Sequence, residues 1–186
     1  MPLSPFHLGP AILLGLIILR YVDLPTLIIA NVIIDIEPMF ILLFNLDFTH
    51  HQFLHTFLGG TLVVFTLTWI MIKVRIKFSP LLSFFKIEQK ASLKSILVAA
   101  SSGIYMHILL DSRIYMDIRP FYPLEVNPFL NGNLSSVIDV YMFCIWSFIG
   151  GIIVYTIRLV MLKIKSINRV KSVSYTHLTL PTTPYV

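Results

Sequence analysis

Histidine and carboxylate residues recur in this chain at spacings that suit metal binding. His107 and Asp111 are four residues apart in the segment HILLD, and His51 and His55 are four apart in HHQFLH. Residues four apart lie on one face of a helix, so each pair would present two ligands to the same side. Imidazole and carboxylate are ligands that Zn²⁺ and Mn²⁺ accept. The spacing therefore predicts a metal site.

Two further positions extend this set, since His7 opens the first apolar run and Asp35 interrupts the second. The candidate metal ligands are His7, Asp35, His51, His55, His107 and Asp111. Six ligands exceed the four of a tetrahedral zinc ion, so one or two ions are expected. Asp35 could bridge two ions or act as a general base, and Glu37 could orient a histidine. We interpret His50 as an interfacial neighbour of the site.

The composition places these residues in a membrane protein. Apolar residues make up 56% of the 186 residues and charged residues only 12%, and the mean hydropathy is +0.85. A soluble domain has about a quarter of its residues charged. The chain is therefore predicted to be all-α, with one membrane-embedded domain over residues 1–172.

Five apolar segments predict a transmembrane helical bundle with about four to five membrane segments. They cover residues 8–19, 24–46, 53–74, 95–110 and 137–162. The first is shorter than the roughly 20 residues that cross a bilayer. The second is interrupted by Asp35, Glu37 and Pro38. The fourth is rich in small residues (AASSG), which helix contacts within membranes favour.

The basic residues predict the orientation. Of fourteen Lys and Arg, six lie between residues 73 and 94 and five between residues 158 and 171, just beyond apolar segments. The positive-inside rule places both clusters in the cytoplasm, which puts the candidate ligands toward the outer face. The net charge of +5 thus indicates topology, with the lipid bilayer as partner and not nucleic acid.

Residues 173–186, VSYTHLTLPTTPYV, resemble the in-frame translation of a transposon-end adaptor used in sequencing libraries. We therefore expect this tail to be non-native, exclude His177 from the site and expect the natural C-terminus to differ. The alternative is a genuine tail rich in threonine and proline.

Five motifs resemble one protein family. HLGP, IIDIEP, HHQFLHTFLGG, HILLDS and DIRPFYP are similar to motifs of the LexA-binding, inner membrane-associated hydrolases, which are described as membrane-bound metal-dependent hydrolases. The resemblance covers roughly residues 1–123. That family is distantly similar to zinc-dependent phospholipase C and the P1-type nucleases, helical enzymes with His-x-x-x-Asp ligand pairs.

The resemblance implies a metal-dependent hydrolase in the cytoplasmic (inner) membrane of a prokaryote, acting on a phosphoester or lipid at the outer face. The matching positions are His7, Asp35, the pair His51 and His55, and the pair His107 and Asp111. The family usually has proline where this chain has Ile34, and commonly Arg-Gly where it has Gln52-Phe53. The ligand types remain intact.

Two other functions use the same residues. A metal-ion transporter or sensor needs a continuous polar path, but the inner halves of residues 53–69 and 140–155 lack ionisable side chains. A structural metal that only links the helices requires the same ligands as a catalytic one, so the sequence leaves it open. Arg113 and Arg119 could bind an anionic substrate such as a phosphoester, or could anchor to lipid headgroups.

Overall fold

The computed structural model describes residues 5–45 and 53–176, with side chains described for residues 6–45 and 53–169. Every regular element in these ranges is helical. The α-helices found there are α1 (Leu8–Ile17), α2 (Leu24–Ile33), α3 (Ile36–Leu43), α4 (Phe57–Val74), α5 (Ser79–Phe84), α6 (Leu93–Ser112) and α7 (Leu134–Thr176). The all-α prediction is confirmed.

Within the described residues, four stretches are long and apolar enough to cross a membrane. They are Leu24–Leu43, Phe57–Phe84, Leu93–Ser112 and Leu134–Arg169, and α1 is a shorter apolar helix. Many of their apolar side chains face outward, such as Trp69 at 60% exposure and Ile152 at 66%. Side chains of this kind are stable on the outside of a bundle only where lipid surrounds it. The fold is that of a multi-pass helical membrane protein.

The second membrane segment is broken, as its polar residues predicted. Helix α2 ends at Ile33 and α3 begins at Ile36. Pro38 has no backbone N–H to donate to Ile34 O, and its ring would clash with that carbonyl in a continuous helix. At the break the backbone hydrogen bonds join residues three apart instead of four. Asp35 N donates to Val32 O at 3.1 Å, and Glu37 N donates to Ile34 O at 3.2 Å. Asp35 therefore lies at an interruption and not on a continuous helix face.

Helix α6 is the centre of the bundle and packs against both α2 and α4, while α1 packs between α2 and α7. A buried apolar cluster fills the space between α2, α4 and α6. Helices α2 and α6 come close together at Gly103, where an added Cβ would lie 2.6 Å from Ala30 Cβ and 2.8 Å from Leu27 O. Only glycine permits this approach, which brings the second half of α6 against the break after α2.

A buried ion pair stabilises the N-terminal end of α2. Asp23 caps the helix, since its Oδ2 accepts hydrogen bonds from Thr26 N at 3.2 Å and from Thr26 Oγ1 at 2.6 Å. Its Oδ1 accepts from Arg75 Nε in an ion pair that is almost fully buried. Gln89 holds the preceding turn by donating to Leu19 O and Val22 O. Three parts of the chain, residues 19–26, Arg75 and Gln89, thus meet at this end of the bundle.

Helix α7 extends further than its apolar segment predicted, from Leu134 to Thr176. It therefore continues into the start of the segment that we expect to be non-native, whose remainder from residue 177 lies outside the described residues.

Candidate metal centre

Four buried side chains from three separate segments converge at one end of the bundle. Asp35 lies at the break between α2 and α3, His55 precedes α4, and His107 and Asp111 lie on the last turns of α6. One potential ligand atom from each lies within 4.8 Å of the others. The two histidines are fully buried and Asp111 is 2% exposed. Helices that project ligand pairs inward are how bundles build metal sites, and we call this group the metal cluster.

His107 is held so that one ring nitrogen faces the carboxylates. Its Nδ1 lies 2.7 Å from the carbonyl oxygen of Asn31. A carbonyl oxygen can only accept, so Nδ1 carries the proton and a neutral ring leaves a lone pair on Nε2. Nε2 lies 3.2 Å from Asp35 Oδ1 and 3.2 Å from Asp111 Oδ2 but makes no hydrogen bond of good geometry. Because a lone pair and two carboxylates repel one another, this arrangement is stable only with a cation or a second proton between them.

The helix break supplies the group that orients His107. Within an uninterrupted helix, Asn31 O would accept from the N–H four residues later. Here Asp35 N donates to Val32 O, and Asn31 O accepts from His107 instead. The Asn31 side chain also donates to Gly103 O at 3.4 Å, which ties the same turn of α2 to α6. The interruption in α2 therefore positions Asp35 and fixes the ring of His107 together.

His55 is held in the same way by a carboxylate. Its Nδ1 lies 3.0 Å from Glu37 Oε2, while its Nε2 points toward Asp111 Oδ2 at 4.0 Å. The Glu37 carboxylate also accepts from Leu54 N, at 3.0 Å to Oε1 and 3.2 Å to Oε2. An ionised carboxylate only accepts, so the proton of His55 lies on Nδ1. Carboxylates that fix the outer nitrogen of a histidine are typical of metal sites.

The turn that carries His55 is fixed from two sides. Thr56 caps α4 by accepting from Gly59 N at 2.9 Å, and Phe57 N donates to Pro120 O at 2.8 Å. A Cβ on Gly59 would overlap the carbonyl oxygen of Phe53, so the chain can fold back here only with glycine. The motifs HHQFLHTFLGG and DIRPFYP thus meet at this turn.

His7 adjoins the metal cluster at one edge. It is 2% exposed, and its Nε2 lies 3.3 Å from Asp111 Oδ1. Its ring meets that of His107 edge to face, with 4.7 Å between centroids. Burial lowers the pKa of the His7 imidazole, which keeps the ring neutral at pH 7 and able to act as a ligand.

Some predicted site residues are not described, and two of those described are exposed. His50 and His51 fall outside the described residues. The expectation that His55 lies on a helix face is wrong, since it belongs to the 3₁₀ turn Phe53–His55 and α4 begins at Phe57 after the Thr56 cap. Arg113 is exposed directly after α6. Arg119 is also exposed and donates to Glu125 Oε1 at 2.6 Å.

Two backbone carbonyl groups that position the site were not predicted from the sequence. Asn31 O orients His107 and Pro120 O anchors the start of α4. Backbone carbonyls are common to all residues, so no residue type reveals them. The one available signal was Asn31 itself, a polar side chain one turn before Asp35 in an apolar run.

In comparisons with known proteins, no family model, no curated protein and no solved structure matches this chain. The resemblance to the LexA-binding, inner membrane-associated hydrolases therefore stays a prediction from the motifs, and a function has to be argued from the geometry of the metal cluster.

Proposed function

We propose that this protein is a membrane-embedded metal-dependent hydrolase whose divalent ion is bound by Asp35, His55, His107 and Asp111. The observation that carries the proposal is that the Nδ1 atoms of His107 and His55 both have a hydrogen-bond partner on the side away from the aspartates. His107 Nδ1 is engaged by a carbonyl and His55 Nδ1 by a carboxylate, which leaves both Nε2 atoms directed at Asp111. Two neutral imidazoles and two carboxylates are enough to hold one divalent ion.

The charge of the metal cluster supports a divalent cation. If both rings are neutral, as metal binding requires, the two aspartates leave two negative charges in a space that water scarcely reaches. Burying an unpaired charge costs roughly several kcal/mol unless a counter-ion neutralises it. One divalent ion would balance both carboxylates. Mixed nitrogen and oxygen ligands favour zinc, with manganese as the second choice, and His7 beside Asp111 could help to hold a second ion.

Each residue has a defined task in this proposal. A bound divalent ion lowers the pKa of water and polarises the scissile bond. Glu37 and Asn31 O keep the two imidazoles aimed inward. Asp35, at the break in the membrane segment, would accept the proton of the attacking water through the oxygen that does not face His107. Arg113 follows α6 directly and would bind an anionic substrate, whereas Arg119 would first have to leave Glu125.

The position of the metal cluster supports a substrate that arrives from the outer face. It lies at the C-terminal end of α6 and just before the N-terminal end of α4, while the basic residues after α4 and in the second half of α7 lie at the opposite end. With the basic end in the cytoplasm, the metal cluster would lie toward the outer face of the membrane, which we propose to be a prokaryotic inner membrane. A phosphoester or lipid reached from that face is the substrate that we propose.

One observation favours a second candidate, a structural metal site. All four ligand residues are buried, and closed sites of this kind link helices without turnover. The two functions differ in one respect, because a catalytic ion must remain accessible to water and substrate.

A hydrolysis assay separates the two candidates. The purified protein in detergent, loaded with zinc or manganese, is incubated with a chromogenic phosphodiester and with phospholipid. We expect metal-dependent turnover that falls at least about 100-fold in Asp35→Asn, because general-base catalysis contributes about that much, and that persists in Glu125→Gln. Stoichiometric metal without turnover on either substrate would refute the hydrolase and leave the structural site.

A further inference from the structure

A basic cavity lies at the end of the bundle opposite the metal cluster. It measures about 880 Å³ and is formed by the segment before α6 and the second half of α7. Lys86, Arg158 and Lys163 line it together with one acidic residue, Glu88. Tyr155 Oη donates to Phe85 O at 3.0 Å, which holds the two segments together. His107 lies about 20 Å from the start of α6 along its axis, so this cavity is separate from the metal cluster.

The charges around the cavity are not balanced. Three basic side chains face one carboxylate, which gives a net charge of +2. Glu88 is already engaged, since its Oε1 accepts from Ser83 Oγ at 2.8 Å. Among the described residues, no ion pair involves Lys86, Arg158 or Lys163. The cavity is therefore suited to an anionic ligand.

Arg158 is the best-placed ligand-binding group. Its Nε is buried yet has no hydrogen-bond partner in the described part of the chain. The same side chain lines a second cavity of about 340 Å³, next to Arg20 and Lys90. A buried guanidinium donor without an acceptor loses the free energy of a hydrogen bond, and a phosphate oxygen is the acceptor that arginine matches best.

The position along α7 indicates where the ligand comes from. Two residues shortly before Arg158 are apolar and face outward, with Ile153 at 53% and Ile157 at 52% exposure. Lys163 follows within the next turns, so the chain passes here from acyl chains to headgroups. Leu159 and Leu162 also line the cavity. A ligand at this level meets basic groups and apolar walls together, as an amphiphile requires.

We propose that this cavity binds the phosphate group of an anionic phospholipid, with Arg158 and Lys163 as its principal contacts. The site is independent of the metal cluster and of the proposed hydrolase activity, since no residue is shared between them. Bound lipid would join the segment before α6 to α7 and stabilise the folded protein through preferential binding to the native state.

Native mass spectrometry of the full chain in detergent tests the proposal. Phosphatidylglycerol is titrated against phosphatidylcholine, and glycerol phosphate serves as the soluble arm. We expect one phosphatidylglycerol bound in preference to phosphatidylcholine. Affinity should fall about thirtyfold in Arg158→Gln/Lys163→Gln, because each basic group near an anionic surface contributes about a factor of five.

Lys165→Gln is the matched control, since Lys165 lies on the same helix but not in the cavity wall. It should bind phosphatidylglycerol like the wild type, and all variants should melt at the same temperature in lipid-free detergent. An equal loss in Lys165→Gln would overturn the proposal in favour of diffuse surface charge. Equal binding of phosphatidylcholine, or displacement of lipid by equimolar glycerol phosphate, would also overturn it.

Discussion

Replacing Glu37 with glutamine should weaken metal binding without removing a ligand. The Glu37 carboxylate serves two donors, His55 Nδ1 at 3.0 Å and Leu54 N at 3.0 and 3.2 Å. Glutamine has a single acceptor oxygen and can serve only one of them well. Groups that orient a metal-binding histidine typically contribute 10- to 100-fold to metal affinity. We expect a loss of about tenfold for Glu37→Gln and about 100-fold for Glu37→Ala, or about 1.4 and 2.7 kcal/mol.

Competition with a fluorescent zinc chelator in detergent measures this loss. The matched control is Glu125→Gln, which removes the same charge from a side chain that is 73% exposed and paired with Arg119. The control should bind zinc like the wild type. If Glu37→Gln keeps wild-type affinity while its helicity and melting temperature are unchanged, then Glu37 does not hold His55 for a metal and the reasoning fails.

Three further predictions concern packing, the buried ion pair and pH. Gly103→Ala places a Cβ 2.6 Å from Ala30 Cβ. It should lower the free energy of unfolding by about 1–3 kcal/mol and weaken zinc binding. The control Gly132→Ala should change neither quantity. Asp23→Ala leaves Arg75 buried without its partner and should cost about 3–5 kcal/mol in detergent unfolding, and a cost below about 1 kcal/mol would contradict the pairing. Bound metal should be released as the pH falls from about 7 to about 4, because protons compete for imidazole and carboxylate ligands; equilibrium dialysis that finds retention at pH 4 would contradict this ligand set.

The parts of the site that lie on one regular helix were predictable from the sequence. His107 and Asp111 needed only the four-residue periodicity of α6, and their Nε2 and Oδ2 atoms lie 3.2 Å apart. Asp35 was predictable because a carboxylate in an apolar run is costly unless it has a partner. The geometry at His55 was not, because its turn is set by contacts with Glu37 and with the loop at Pro120 that are distant in the chain.

The helix boundaries were likewise predictable in part. Hydropathy located the apolar helices but ended the last one at residue 162, whereas α7 runs to Thr176. Hydropathy measures the affinity of side chains for lipid, while Lys and Arg sustain a helix in water as well as most residues do. The close contact at Gly103 depends on which face of α6 meets α2, and a single sequence does not contain that information.

The most direct test of the metal cluster is the metal content of the purified full chain, measured by inductively coupled plasma mass spectrometry after supplementation with zinc and manganese. The account predicts at least one divalent ion per chain. That ion should be retained in Asp139→Ala, an exposed carboxylate on α7, and lost in His107→Ala/Asp111→Ala. Absence of bound metal in the wild type, or equal metal in the double variant, would contradict it and leave these residues as a hydrogen-bonded polar cluster.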